Sequence, residues 1–498
     1  MLLNIKNSFV SIRGKILSNL AWIFVFLAFG TGISLPLLTP LNQVPDEASH
    51  IARAAALGHF AIFGQRREFH GPDGYTYKYS GLMINSGLAQ ATHDETNFVP
   101  TIFTPPYPEI TKNELEKTQK AKWSNRRVFV QCPNSLQYFP AMYIPGTIGI
   151  YLGKFLGFSP LYSLVFGRIM MLLSYITMGF FAIKTARFGR SILFALLLLP
   201  FCINLAASFN QDAQIIAACA LACALLTTGL DKMRYYAAFI LMLVMCSKPP
   251  YGLLLVVLLF PLSDPGLIKR IGLTVVAGIP ALIWYALSRA IDLVPFLIVQ
   301  FYLPGPLWSG SIKLMRHQST TKNLHVLMSD PIRFISIPWH TVIQHWIGYL
   351  SQMIGLFGYN AIIMPIWIYV SWITILFLSF LGSISYHNKN GLKTNAIDKL
   401  VLCYFVILSV WILIIAIYIS WAMTGAVSAV GMTGRYFLLF PPFLMLGMPK
   451  FGEFIDRKIP NLGGSAGIEF LCIFPAIVMA FFDAAYIPAF VAQSFYLH

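Results

Sequence analysis

Long apolar runs recur along this chain, and the junctions between them alternate: one carries Lys or Arg, the next almost none. That alternation limits the fold more than any single motif does, because a chain that crosses a bilayer repeatedly keeps its cations on the cytoplasmic side. Charged residues are only 11% of the 498, against about 25% in soluble domains. An all-α polytopic membrane protein is therefore expected. The net charge of +16 would suggest nucleic acid as a partner for a soluble chain. Here the basic residues lie between apolar runs and act as anchors, so membrane lipids are the expected partner and nucleic acid is not. Six of the seven Cys lie in apolar runs and only Cys132 in a long loop. No disulfide framework and no zinc spacing follow.

Lys6, Arg13 and Lys15 precede the first apolar run, Leu17–Leu38. They place the N-terminus in the cytoplasm, and with so many runs to follow this one reads as an uncleaved helix. Residues 39–160 then form a large first extracytoplasmic loop. Its apolar run Leu136–Gly157 is assigned to interfacial helix, since a crossing there would turn Lys184, Arg187 and Arg190 outward. Further spans are expected at Leu161–Ile183, Ser191–Ser208, Ala213–Leu230, Tyr235–Ser247, Tyr251–Leu262, Ile271–Ser288, Ala361–Tyr386, Leu400–Trp421, Tyr436–Pro449 and Gly467–Ile487. That makes about eleven spans, each needing ~20 apolar residues when regular. The chain divides into a cytoplasmic N-terminus (1–16), an N-terminal transmembrane module (17–291), a second extracytoplasmic loop with interfacial helices (292–360) and a C-terminal transmembrane module (361–498).

Directly after the first run comes Pro45-Asp46-Glu47-Ala-Ser-His50-Ile-Ala-Arg53. Pro45 ends what precedes it, and good helix formers follow. On a helix Asp46, His50 and Arg53 share one face, with Ala48, Ile51, Ala52 and Ala55 opposite. Two carboxylates, an imidazole and a guanidinium thus stand at the start of an amphipathic helix outside the membrane. Two readings of Asp46 are open: an N-cap, for which Asp is among the best residues, or an acid/base group. Glu47 fits a dipole-complementing acid or a second catalytic carboxylate.

Two outer turns break the charge rule. Lys248 lies in Cys246-Ser-Lys248-Pro-Pro-Tyr251 between short runs, and Arg435 lies in Gly431-Met-Thr-Gly434-Arg435-Tyr436-Phe437 ahead of Pro441-Pro442. Ionisable groups sunk in a membrane are costly and usually functional, and interrupted spans point to binding sites. A cation facing outward at that depth suits a lipid phosphate, with snorkelling as the alternative. Asn210 and Asp212 in Ser208-Phe-Asn210-Gln-Asp212 form a third polar cluster, where Asp212 has capping as its simpler role. Arg168 lies early in an apolar run on the same side. Trp308, Trp339 and Trp346 fit either sugar stacking or an interfacial belt.

The Pro-Asp-Glu segment with its His, Pro133-Asn-Ser-Leu-Gln-Tyr-Phe-Pro140, the Ser-Phe-Asn-x-Asp turn, Ser-Lys-Pro-Pro-Tyr, Gly355-x-x-Gly-Tyr-Asn360 and Gly-Arg-Tyr-Phe occur in that order. As an ordered set they resemble a bacterial family of predicted membrane proteins that is similar to the GT-C superfamily of polyprenyl-phosphate-sugar-dependent glycosyltransferases. The resemblance implies a GT-C-like fold, a first outer loop bearing the catalytic acid (Asp46, with Glu47 as backup), and an outer lipid-phosphate site at Arg435 and Lys248 with the adjoining Tyr436 and Tyr251. His50, Arg53, Asn210, Asp212 and Arg168 would support them. The implied reaction is transfer of a sugar from a polyprenyl-phosphate donor to an extracytoplasmic glycan such as O-antigen, at a bacterial inner membrane, beside a separate flippase and donor synthase. A divalent metal bridging Asp46 and the phosphate is compatible with the chemistry, but no full ligand set is present, so no cofactor is expected. The rival classes are a flippase or transporter of lipid-linked sugars, a polysaccharide polymerase, and a structural subunit.

Overall fold

A computed structural model of the chain describes residues 11–70, 76–96, 116–291, 300–302, 313–315, 320–358, 362–385, 392–460 and 464–496, apart from the single positions 12, 117, 430 and 459. The first helix, α1 (Leu20–Gly32), turns Leu20, Phe24, Leu27 and Ala28 inward at helical spacing and leaves Trp22, Phe26 and Phe29 exposed. Large apolar side chains on an outer face are what a helix in contact with lipid presents. The short helix Leu35–Leu38 continues it, and a loop leads to α2 (Glu47–Leu57).

Three antiparallel strands follow, β1 (Gln65–His70), β2 (Thr76–Asn85) and β3 (Arg127–Gln131), in the order β1-β2-β3. Gly81 on the central strand faces Gln65 on one side and Gln131 on the other. Leu82, Ile84 and Val130 turn inward and close an apolar core with Ile51, Ala52 and Ala55 of α2. Two expectations are corrected here. The fold is mostly helical but not all-α, since the segment expected as the first outer loop holds a sheet. And α2 has no solvent face: His50 and Arg53 are as enclosed as Ile51, with Tyr138 and Tyr143 packed against them.

The run assigned to the interface forms α3 (Ile144–Phe155), twelve residues long. At 1.5 Å per residue that is about 18 Å, too short to cross a bilayer. It doubles back along α4 (Pro160–Thr185), and at Gly149 the two backbones meet so closely that any Cβ would strike Gly167. Helices α5 (Pro200–Ala206) and α6 (Gln211–Leu226) meet at 115° about the turn 207–210. All of α6 except Leu221 is buried. Its six alanines let α4 and α7 (Asp231–Ser247) approach closely, the usual device for packing helices in a membrane. Pro249 and Pro250 cannot continue α7, so the chain passes into a 3-10 helix over Pro249–Leu259. Helices α8 (Leu267–Ile291), α9 (Ile366–Ile384), α10 (Ala396–Trp421) and α11 (Gly464–Tyr496) complete the apolar body.

Among the described residues six helices are long and apolar enough to cross a membrane: Leu20–Leu38, α4, α8, α9, α10 and α11. The number is eight if α5 with α6, and Gly434–Gly447 with Gly452–Lys458, each count as one bent span. Of the expected eleven, six to eight are thus supported by length and composition. Pro200, Pro249-Pro250 and Pro441-Pro442 break the apolar runs into short or 3-10 pieces, which a count of apolar residues reads as whole spans. In the second loop the helix Arg333–Gly355 carries exposed Trp339 and Trp346. Trp308, Tyr359 and Asn360 lie outside the described residues.

Candidate active site

Asp46 stands at the N-cap of α2 with φ 62°, a left-handed conformation that few non-glycine residues adopt. Asn42, at φ 68°, turns the same loop. Strain of this kind persists only where the surroundings hold it, and here they do. Glu47 and Arg168 form a fully buried two-point pair, Nε to Oε1 at 2.8 Å and Nη2 to Oε2 at 2.6 Å. The remaining Arg168 hydrogens go to the carbonyls of Pro36, Thr39 and Pro40. Glu47 also accepts from the backbone N–H groups of Asn42 and Phe209, at 3.0 and 3.2 Å. Burying two ions costs several kcal/mol each unless their lone pairs and protons are used, and this network uses them. Asn210 adds a bond from Nδ2 to the Pro45 carbonyl at 2.8 Å.

Two expectations change as a result. Glu47 is not an available second acid or acceptor-binding group, since it is wholly enclosed and bound to Arg168. Arg168, a weak candidate by sequence, is what ties the loop before α2 to α4.

The Asp46 side chain makes no cap bond. It turns instead to Arg435, whose Nη2 donates to Oδ2 in a short contact. Asp46 keeps part of its surface open, with the side chain 28% exposed against 6% for Arg435. Asp212 is not a cap either: the cap of α6 is Asn210, whose Oδ1 accepts from the Asp212 N–H. The Asp212 carboxylate bridges the two cations, Oδ2 lying 3.1 Å from Arg435 Nε and Oδ1 2.5 Å from Lys248 Nζ. Lys248 sits at the C-terminal end of α7, its ammonium 4.4 Å from the centre of the Tyr436 ring and 5.8 Å from that of Tyr138. Arg435 also donates to Tyr436 Oη at 3.3 Å. Arg435 Nη1 is buried and has no partner among the described residues.

Tyr251, expected against the donor, is fully buried and gives its hydroxyl to the Tyr436 carbonyl at 3.4 Å, so it braces the Arg435 turn from beneath. Gly434 permits that turn, because a Cβ there would strike the Tyr349 carbonyl. His50 does not orient Asp46 by a hydrogen bond. Its Nδ1 is hydrogen-bonded to Tyr143 Oη at 2.7 Å and its ring stacks near Tyr138. Arg53 donates to the Tyr138 carbonyl at 3.0 Å. Tyr138 and Tyr143 were not singled out as site residues. Tyr138 lay inside a quoted motif, but nothing local to either ties it to residues some 90 positions earlier.

Burial alone would raise the Asp46 carboxyl. The charge of Arg435 and its hydrogen bond outweigh it and hold Asp46 below the usual carboxylate range. Burial pushes His50 down to about 4 despite the acids nearby, so it is neutral at ordinary pH. Burial pushes the phenols of Tyr138 and Tyr143 well up, which keeps them protonated. The cluster therefore holds two carboxylates and two cations beside neutral aromatics, with one carboxylate partly open. Among the described residues no three His, Cys, Asp or Glu side chains are grouped to hold a metal ion.

Long apolar helices around a polar cluster of this kind define a multi-pass membrane protein. The chain belongs to the family described as "Predicted membrane protein (DUF2142)", which matches residues 29–446 and so includes every residue of the cluster. No curated protein and no solved structure matches it.

Proposed function

We propose that the protein is an inverting glycosyltransferase of GT-C type, moving a sugar from a polyprenyl-phosphate donor to an extracytoplasmic glycan at a bacterial inner membrane. The observation that carries this reading is the direct contact of a partly open carboxylate, Asp46, with a buried guanidinium that still has an unused donor, Nη1 of Arg435. A donor phosphate reaching that point meets Arg435 and then Lys248, whose charges suit the departing phosphate.

The chemistry is a single displacement. The acceptor hydroxyl attacks the anomeric carbon, the carbon–oxygen bond to phosphate breaks, and polyprenyl phosphate leaves with the electron pair. The hydroxyl proton passes to Asp46 as general base. Arg435 serves both halves in turn. While it holds Asp46, the carboxylate is a weak base. Once phosphate takes over the guanidinium, Asp46 loses its main counter-charge and its proton affinity rises as the acceptor arrives. Glu47, Arg168 and Asn210 fix the loop that aims Asp46, and Asp212 keeps the two cations together.

The test is transfer from synthetic polyprenyl-phosphate sugars by the purified protein. Asp46→Asn is expected to abolish transfer and to leave donor binding intact. Transfer at the wild-type rate in that variant would sink the proposal. Envelope glycan masses with and without the gene separate the rivals: a missing side-branch sugar supports transfer, shortened chains a polymerase, and wholesale loss a flippase.

A further inference from the structure

The outer sheet has two faces of opposite character. Leu82, Ile84 and Val130 cover α2. Strand alternation puts Gln65, Arg67, Met83, Phe129, Gln131 and Arg127 on the other side, in rows set by the pairs Arg67–Tyr79, Gln65–Gly81–Gln131, Met83–Phe129 and Asn85–Arg127. Gln65, Arg67 and Arg127 are exposed and the rest half-exposed. The Arg67 guanidinium lies over Phe129, 4.2 Å from the ring centre. From the row of Arg67 to that of Arg127 is six residue steps along β2, about 20 Å at the strand rise. Around this strip Lys122, Arg126 and Lys154 are also exposed, and Lys154 lies 4.9 Å over the Trp123 ring. Among the described side chains the acids nearby offset little. Glu116 is paired with Lys120 at 3.4 Å, and Glu68 alternates to the opposite side of β1.

Cations have no call to cluster on this side as membrane anchors, since that bias belongs to the cytoplasmic loops. An aromatic ring with amide and guanidinium groups in rows is suited to a sugar chain, the ring meeting a sugar face and the polar groups its hydroxyls. The surplus of positive charge favours one whose residues carry carboxylate or phosphate. The sheet also packs directly on α2, the helix that Asp46 opens. We infer that the outward face of β1-β2-β3 is the docking strip for the acceptor, and that the acceptor is an acidic glycan. This rests on the transferase reading for the word acceptor, while the binding itself is measured without donor.

The experiment uses full-length protein in nanodiscs of uncharged phosphatidylcholine, with oligogalacturonate as the acidic probe and a neutral galactan oligomer of equal length beside it. The wild type is expected to bind the acidic probe at least tenfold more tightly. The double variant Arg67→Gln/Arg127→Gln is expected to lose roughly tenfold, the equivalent of about 1.4 kcal/mol. Arg67→Lys/Arg127→Lys, which keeps the charge, retains most of the binding. Arg457→Gln/Lys458→Gln, at an exposed basic site elsewhere, leaves it unchanged. Equal affinity for the two probes overturns the inference, as does equal loss in the two charge-removing pairs, which would mark a non-specific response to net charge. If the Arg67/Arg127 pair alters only association with phosphatidylglycerol nanodiscs, the strip is a lipid contact and the inference also fails. None of these failures touches the Asp46 transfer assay, so the two proposals fall separately.

Discussion

The Asp46 carboxylate and the Arg435 guanidinium touch although 389 positions separate them in the chain. One opens the helix after the first apolar run, the other sits on a 3-10 turn near the last ones. Their contact makes each residue's chemistry depend on the other.

Asp46→Asn keeps the side chain's size and removes its basicity. Loss of a positioned general base costs typically 10²–10⁴ in rate, so single-turnover sugar transfer should fall by that order while donor binding changes little. A loss confined to KM would point to a binding role instead.

Replacing Arg435 by Ala should weaken the lipid donor far more than the acceptor. It should also move a titration. Arg435 is the largest influence holding Asp46 down against burial, so its removal lets burial raise the carboxyl. The acid limb of kcat/KM, below the usual carboxylate range in the wild type, should then shift to higher pH in Arg435→Ala. An unmoved limb would show that another group sets it.

His50 carries a pH effect on stability of the opposite sign to a salt-bridged histidine. Burial lowers it from 6.5 to about 4, so between those values the unfolded chain binds the extra proton. Stability is complete above about pH 6.5 and is lost as pH falls towards 4, by on the order of 3 kcal/mol at 1.36 kcal/mol per pH unit. Thermal unfolding of His50→Phe should show a much flatter dependence across that window. A slope equal to the wild type's would assign it to other groups.

Arg168→Ala leaves Glu47 charged and buried without its partner. Breaking a buried pair from one side costs about 3–5 kcal/mol, so the variant should unfold at a markedly lower temperature. Arg168→Lys should recover only part, because an ammonium cannot reproduce the two-point contact. Wild-type stability in Arg168→Ala would rule out the latch.

Asp212→Asn removes the acid shared by Arg435 and Lys248. Lys248 then has no carboxylate partner among the described residues and Arg435 keeps only Asp46, so stability should fall while affinity for polyprenyl phosphate rises. Titration of the purified variant with polyprenyl phosphate checks the second half, and weaker binding would mean that Asp212 itself contacts the ligand.

Of the polar cluster, the cations were legible because they broke a pattern: Lys248 and Arg435 stood on the side where outer turns carry almost none. Asp46 was legible as a carboxylate just outside the first span, though its neighbours were not. Glu47 looked like a companion of Asp46, and a one-residue step turned it into the opposite of one, enclosed by Arg168. The sheet was missed although Pro72-Asp73-Gly74 is a turn signal, because the segments 65–70 and 76–85 on either side of it are largely polar and lack an unbroken alternation. Among the described residues six to eight of the expected eleven spans are long and apolar enough to cross, and proline divides an apolar run without changing its composition.

What the sequence determined by itself was the environment: so much apolar length and so regular a placement of cations leave only a multi-pass membrane protein. Which polar groups meet was decided by the tertiary structure alone. Hydropathy acts on each segment independently, whereas the contacts among Asp46, Asp212, Lys248 and Arg435 depend on how three distant segments meet the start of α6, which carries Asp212. A buried charge is stable only beside its counter-charge, and that pairing exists only once the helices have come together.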